Sequence, residues 1–347
     1  MQVGLFDHIE DAGRPLAILF EERLAFAEAA DRAGIYCLHV AEHHCSPINM
    51  APSPSIFLAA AAQRTKRMHL GPLCYLLPLY SPLRVIEEIC MLDHLSNGRL
   101  EIGVGRGVSP FELNYNNVDH SKSREIFIDS YECIIKGLTN DTLNYEGPYV
   151  KYVDTPIALH PLQKPMPAFW YGSSNTTGAT WAGEQGMHFT ANGPTGFAKE
   201  NIDAYKKALA KRGGPQSPKE EFSGGAAIGA LRNIVVAKTD DEARRIAQPA
   251  AEYHVATLNW LRTRHGVNAQ TSRLNVPRAL DFKGMVEEGT VIAGSPETVL
   301  HAIRRQTEAM GINYLLAYMF FGAMALSDAL ASLELFRTEV MPEIARL

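Results

Sequence analysis

The chain has 347 residues, of which 46% are hydrophobic and 20% charged, with a net charge of −5 and a pI near 6.2. These values describe an ordinary globular protein of one large domain or two small ones, and they exclude the basic footprint of a nucleic-acid binder. No run of about 18 apolar residues is present to span a membrane as a helix. Taken in chain order, Gln2–Phe6 reads as a strand and Glu21–Ala33 as a helix ended by Gly34. Ile35–Val40, Met68–Leu76 and Leu100–Gly105 read as further strands, with helices at Ser55–Arg64, Pro82–Leu95 and Ser123–Gly137 after them. After a stretch rich in Pro, Tyr and His from Asp141 to Met166, the rhythm resumes. Strands are expected at Ala168–Tyr171, Met187–Ala191, Ile228–Ala237 and Ile312–Met319. Helices are expected at Thr177–Gln185, Phe197–Lys211, Asp240–Arg262 and Ser327–Val340.

Eight strand-then-helix units imply a parallel sheet, and at this length they fit one closed (β/α)8 TIM barrel over residues 1–347, with insertion loops. A doubly wound open sheet is the other arrangement. The unit count and the lack of a GxGxxG after the first strand speak against it. Gly213–Gly225 and His265–Gly294 interrupt the pattern around the seventh unit, and within the latter Arg264–Pro277 is either a lid or a surface excursion or dimer arm. Met1–Phe6 leads straight into structured sequence, which predicts no signal peptide. Five cysteines without CxxC spacing read as reduced thiols, hence a cytoplasmic protein.

In a barrel, chemistry sits at the carboxyl ends of the strands. Glu42-His43-His44 lies just past the second strand, where a histidine can trade a proton and a carboxylate can orient it. Successive residues of extended chain point opposite ways, so one of the two histidines faces the pocket and the other is structural or at a subunit contact. A metal site would need a third ligand; His69 and His188 sit at strand starts and His94 in a helix, so no metal is expected. Arg106 follows the fourth strand between Gly105 and Gly107, where its guanidinium either holds an anion against the backbone or sits in a tight turn. Gly172-Ser173-Ser174-Asn175 joins the fifth strand to its helix; these residues can cap the helix or present free N–H groups to an anion. Leu73 and Cys74 lie within the third strand and form either an apolar wall for a flat cofactor or plain barrel core.

The Glu42-His43-His44 triplet, Gly71–Pro78, Leu92-Asp93 through Gly98-Arg99, Gly103–Gly107, Pro161–Gly186, Gly294-Ser295-Pro296-Glu297 and Leu333–Pro342 together resemble the luciferase-like flavin monooxygenase family. The resemblance implies a barrel that binds reduced FMN at its strand ends and uses O2 to form a C4a-(hydro)peroxyflavin, which oxygenates a small organic substrate. It implies a catalytic histidine at His43, a phosphate-contacting arginine at Arg106, a second phosphate loop at Ser174 and Asn175, and a cis peptide at Leu73–Cys74 beside the flavin ring. It further implies a dimer, and the absence of a nicotinamide fingerprint implies a separate flavin reductase. The family's reactive cysteine falls on Gly105 and a glutamate of its phosphate loop on Ser174, so the resemblance implies the class of chemistry and not light emission. A deazaflavin-dependent oxidoreductase and a non-catalytic flavin-binding subunit are the alternative readings.

Overall fold

A computed structural model describes residues 1–267 and 281–347. The expectation of a lid at Arg264–Pro277 therefore lies, beyond Val267, outside the described residues. The strands are β1 (Gln2–Asp7), β2 (Cys37–Val40), β3 (His69–Pro72), β4 (Tyr75–Leu76), β5 (Ile102–Gly105), β6 (Thr142–Glu146), β7 (Lys151–Pro156), β8 (Phe169–Ser173), β9 (His188–Ala191), β10 (Ile228–Val236), β11 (Val291–Gly294) and β12 (Tyr314–Tyr318). The helices that position the site are α1 (Leu16–Ala33), α2 (Pro54–Arg64), α3 (Pro82–Leu95), α4 (Pro110–Tyr115), α5 (Ser123–Leu138), α6 (Thr176–Gln185), α7 (Thr195–Arg212) and α8 (Asp240–Arg264). After them come α9 (Phe282–Glu287), α10 (Pro296–Met310), α11 (Leu326–Leu335) and α12 (Met341–Ile344).

The main sheet is parallel and runs β3-β2-β1-β12-β10-β9-β8-β5-β4. Its two ends, β3 and β4, are halves of one strand interrupted at Leu73–Cys74, so the sheet closes on itself into eight staves. Near the start of β3 the Leu70 N–H donates to Arg99 O at 3.0 Å and the Glu101 N–H to Leu70 O at 2.9 Å, which seals the seam. Strands buried on both faces are continuous apolar runs, as in β2 and β12. All eight expected strands are present, each within a few residues of its expected ends. Elements without an expectation include the hairpin β6–β7, the short α4, β11 and α9 within the irregular stretch His265–Gly294, and α10 after it.

The floor of the barrel is a buried polar network. The Glu101 carboxylate accepts from Tyr36 OH at 2.7 Å and from Trp170 Nε1–H, and lies 3.1 Å from His69 Nδ1 and 3.6 Å from Lys219 Nζ. Burial would raise the Glu101 pKa, but His69, Lys219 and His188 hold it well below the usual carboxylate range. Burial pushes His188 down to about 4 and His39 down to about 3, against the opposing pull of Glu101. Both histidines are therefore neutral in the fold, and the unfolded chain takes up their protons first as pH falls.

The sign is fixed: folding stability is lost as pH drops from 6.5, the ordinary histidine value, toward about 4 for His188. At about 1.4 kcal/mol per pH unit this amounts to a few kcal/mol. Urea unfolding across that range should show the loss, and His188→Gln should flatten the slope. An unchanged slope would reject the assignment.

Candidate active site

Because the staves run in one direction, their carboxyl ends share one mouth, and a cavity of about 470 Å³ opens there. At one end, β5 delivers Arg106 and the chain turns away at Gly107, whose φ is 84°. Arg124 reaches the same place from the start of α5. On the adjacent stave β8 ends in Ser173, and α6 begins after Ser174 and Asn175. Asn175 caps α6, its Oδ1 accepting the Gly178 N–H at 2.8 Å, and the Asn175 N–H donates to Ser173 Oγ at 3.2 Å. Among the described residues the Thr176 and Thr177 N–H groups find no acceptor, which leaves two donors at the positive end of a ten-residue helix. A Cβ at Gly178 would stand 2.6 Å from Ser173 Oγ, so glycine keeps this cradle open. Burial pushes the Tyr171 phenol up to about 12, and Arg106 and Arg124 act on it from the cavity in the opposite direction. Two guanidiniums, the Ser174 hydroxyl and a helix N-terminus are the donor set of a phosphate dianion.

The middle of the cavity is walled by the interrupted strand. The Leu73–Cys74 peptide is cis. Glycines on β5 let this wall come close: a Cβ at Gly103 would stand 2.3 Å from Pro72 O, and one at Gly105 would stand 2.2 Å from Cys74 Sγ. Burial, with Glu42 adding, pushes the Cys74 thiol well above its ordinary pKa, so it is a neutral apolar surface.

The other end is lined with imidazoles. His43 is buried, and its Nδ1 lies 3.3 Å from Glu112 Oε2 on α4. Its ring stacks on His8, at 5.3 Å between centroids, and His8 lies 5.5 Å from His254 of α8. Glu42 borders the cavity, yet its carboxylate is spent on the scaffold: Oε1 pairs with His44 Nε2 at 2.8 Å and Oε2 accepts the Leu76 N–H at 3.0 Å. Burial would lower the His44 pKa, but the hydrogen bond and charge of Glu42, with Glu112 adding, raise it.

The structure thus brings Glu42, His43, Leu73, Cys74, Arg106, Gly172, Ser173, Ser174 and Asn175 to one cavity, while His44 is not among its lining residues. Extended alternation at the end of β2 explains the split between His43 and His44. Sequence reading missed His8, Glu10, Glu112, Arg124, His254 and Tyr318. Of these, His8 and Glu10 carried the strand-end signal, and the others sit on helices or inside a strand whose pattern gives no pointer. Among the described residues no group of three or more His, Cys, Asp or Glu side chains could hold a metal ion. No described helix is long and apolar enough to cross a membrane.

Residues 1–314 match the luciferase-like monooxygenase family, and the chain belongs to it. Among its relatives, protein y4wF of Sinorhizobium fredii, which is uncharacterized, is 34% identical over 98% of this chain and 96% of its own. The oxygenase component of the flavin-dependent trigonelline monooxygenase of Acinetobacter baylyi is 24% identical over 99% and 95%. In fold, the monooxygenase RslO1 of Streptomyces bottropensis superposes with a TM-score of 0.86 at 23% identity, covering 99% of both chains. The oxygenating constituent of the 3,6-diketocamphane monooxygenase of Pseudomonas putida, solved with FMN, gives 0.77 at 21% over 99% and 98%. A coenzyme F420-dependent tetrahydromethanopterin reductase from Methanopyrus kandleri gives 0.73 at 20% over 99% of both.

The contact between positions 74 and 105 is testable. Gly105→Ala should destabilise the chain by about 1–3 kcal/mol, because the new methyl overlaps the thiol. Cys74→Ala in the same chain should recover most of that loss. Denaturant unfolding of the double-mutant cycle measures it, and additive losses would reject the contact.

Proposed function

We propose that this chain is the oxygenase of a two-component flavin monooxygenase that uses reduced FMN and O2 to oxygenate a small organic substrate. One observation carries the reading: a single cavity joins a cationic phosphate cradle, a flat apolar wall and a cluster of oriented imidazoles. When bound, reduced flavin supplies the electrons and, with O2, the oxygen-transfer chemistry. Arg106, Arg124, Ser174 and the start of α6 would hold its phosphate, and Leu73–Cys74 would support its ring. His43, oriented by Glu112, is the group we assign to proton handling beside the ring. Glu42 and His44 hold the ends of β2 and β4 in place behind it.

A separate reductase is the partner this reading requires, and the trigonelline relative's description as an oxygenase component supports it. A homodimer is supported by exposed apolar side chains on the outer helices: Ile56 on α2 at 75% exposure, and Met91 and Leu95 on α3 at 53% and 46%. Five free thiols support a reducing, cytoplasmic setting.

Under anaerobic conditions the chain should bind reduced FMN more tightly than coenzyme F420, and products formed with 18O2 should carry one labelled oxygen. Tighter F420 binding, or products without label, would overturn the reading. Arg106→Ala should weaken FMN binding by about tenfold to a hundredfold, the value of a charge-assisted phosphate contact, and leave riboflavin binding unchanged. Equal losses for both flavins would reject the phosphate role. His43→Ala should lower turnover by about a hundredfold or more at nearly constant FMN affinity. Unchanged turnover would remove His43 from the chemistry.

A further inference from the structure

The functional reading leaves one built feature of the cavity unused, the pair Glu10–His254. Beyond β1 the chain turns at Ile9, a fully buried β-branched residue with φ 56°, in the left-handed region that such residues avoid. Asp7 Oδ1 accepts the Ile9 N–H at 2.7 Å and holds the turn, which places His8 at the cavity and Glu10 behind it. Backbone held in such a region is a pointer to function when the surroundings over-determine it, as here.

Glu10 has no exposed surface. Its carboxylate accepts from His254 Nδ1 at 2.6 Å, Thr257 Oγ1 at 2.7 Å, Tyr318 OH at 3.2 Å and the Gly322 N–H. Burial would raise its pKa, but the pairing with His254 and these hydrogen bonds lower it below the ordinary value. An ionised acceptor fixes a proton on Nδ1 of His254 and leaves Nε2 as the basic ring nitrogen. Among the described residues nothing hydrogen-bonds Nε2, and the ring borders the cavity. This is the arrangement of a general base and its orienting carboxylate. It stands apart from His43–Glu112, with His8 between the two. Beside His254, Val255 and Leu258 give an apolar surface, and Leu258 and Val108 are shared with a side cavity of about 170 Å³ walled by Phe111 and Leu261.

We propose that His254 is a catalytic base for a substrate hydroxyl, and that the substrate is a phenol or enol whose apolar body lies on Val255 and Leu258; this rests on the cavity being the substrate site, as in the functional reading above. The substrate O–H bond breaks, its electron pair stays on oxygen, and the proton goes to Nε2. The imidazolium so formed is matched by the Glu10 carboxylate. The phenolate or enolate left behind is electron-rich at the neighbouring carbon, which is what transfer of an electrophilic oxygen requires. Glu10 is a positioning residue, acting through the ring it holds.

The probe is 4-nitrophenol, whose anion absorbs visible light and whose acid does not. It is added to the flavin-free chain below its own pKa, with inorganic phosphate filling the arginine end. The native chain should bind it as the anion. His254→Gln and Glu10→Gln should lower the bound anion fraction by about tenfold or more. His254→Gln should keep its FMN affinity, which shows that the fold and the flavin end survive. Binding as the neutral phenol, no binding, or an anion fraction unchanged in His254→Gln would overturn the proposal. A chain that ionises the phenol and fails to bind FMN would overturn the flavin reading alone.

Discussion

Burying a carboxylate is costly, and among the carboxylates buried at the mouth of this barrel three are glutamates. Glu10, Glu42 and Glu112 have exposures of 0%, 2% and 1%. Each would lose several kcal/mol of hydration without compensation. Each is met by a histidine, at 2.6 Å for His254, 2.8 Å for His44 and 3.3 Å for His43. These pairs tie the end of β1 to α8, the end of β2 to its own next residues, and the end of β2 to α4. The rings are held in place because the carboxylates cannot be left alone. The geometry of the site is thus set by electrostatic necessity before any ligand enters.

The two ends of the cavity have opposite electrostatic character. At the α6 end the charged groups that face the cavity are cationic, Arg106 and Arg124, beside a helix N-terminus. At the α8 end the buried acids are each paired with a histidine. The wall between them is neutral, since its thiol keeps its proton. An elongated ligand with an anionic tail and a flat apolar head has only one orientation in such a field.

Much of this was legible in the sequence where structure is periodic and local. Parallel strands buried on both faces appear as apolar runs such as Ile35–Val40, and residues just beyond them, His43, Arg106 and Ser174, land at the mouth by topology alone. The hairpin β6–β7 was not legible, because most of its residues are exposed and the alternation of a half-buried strand is absent. For α10 the signal was present: Ser295 caps the helix by accepting the Thr298 N–H at 3.4 Å, with Pro296 at its first turn. It stands just past the irregular stretch His265–Gly294, and no element is expected there from the strand-helix rhythm. Glu112 sits on a helix of six residues, too short to show a period. The partnership of Glu10 with His254 spans 244 positions, and no local pattern encodes a contact at that distance.

The floor network has a further consequence, for how the chain is made. Glu101 meets Tyr36 and His69 from the first three staves and Trp170 from the fifth, yet its lysine partner is Lys219, far along the chain in the segment that leads into β10. A ribosome that has released only the first four staves has exposed the acid and not the cation. The partners of Glu101 thus span positions 36 to 219, and the floor network is complete only once β8 and the segment ahead of β10 have joined it.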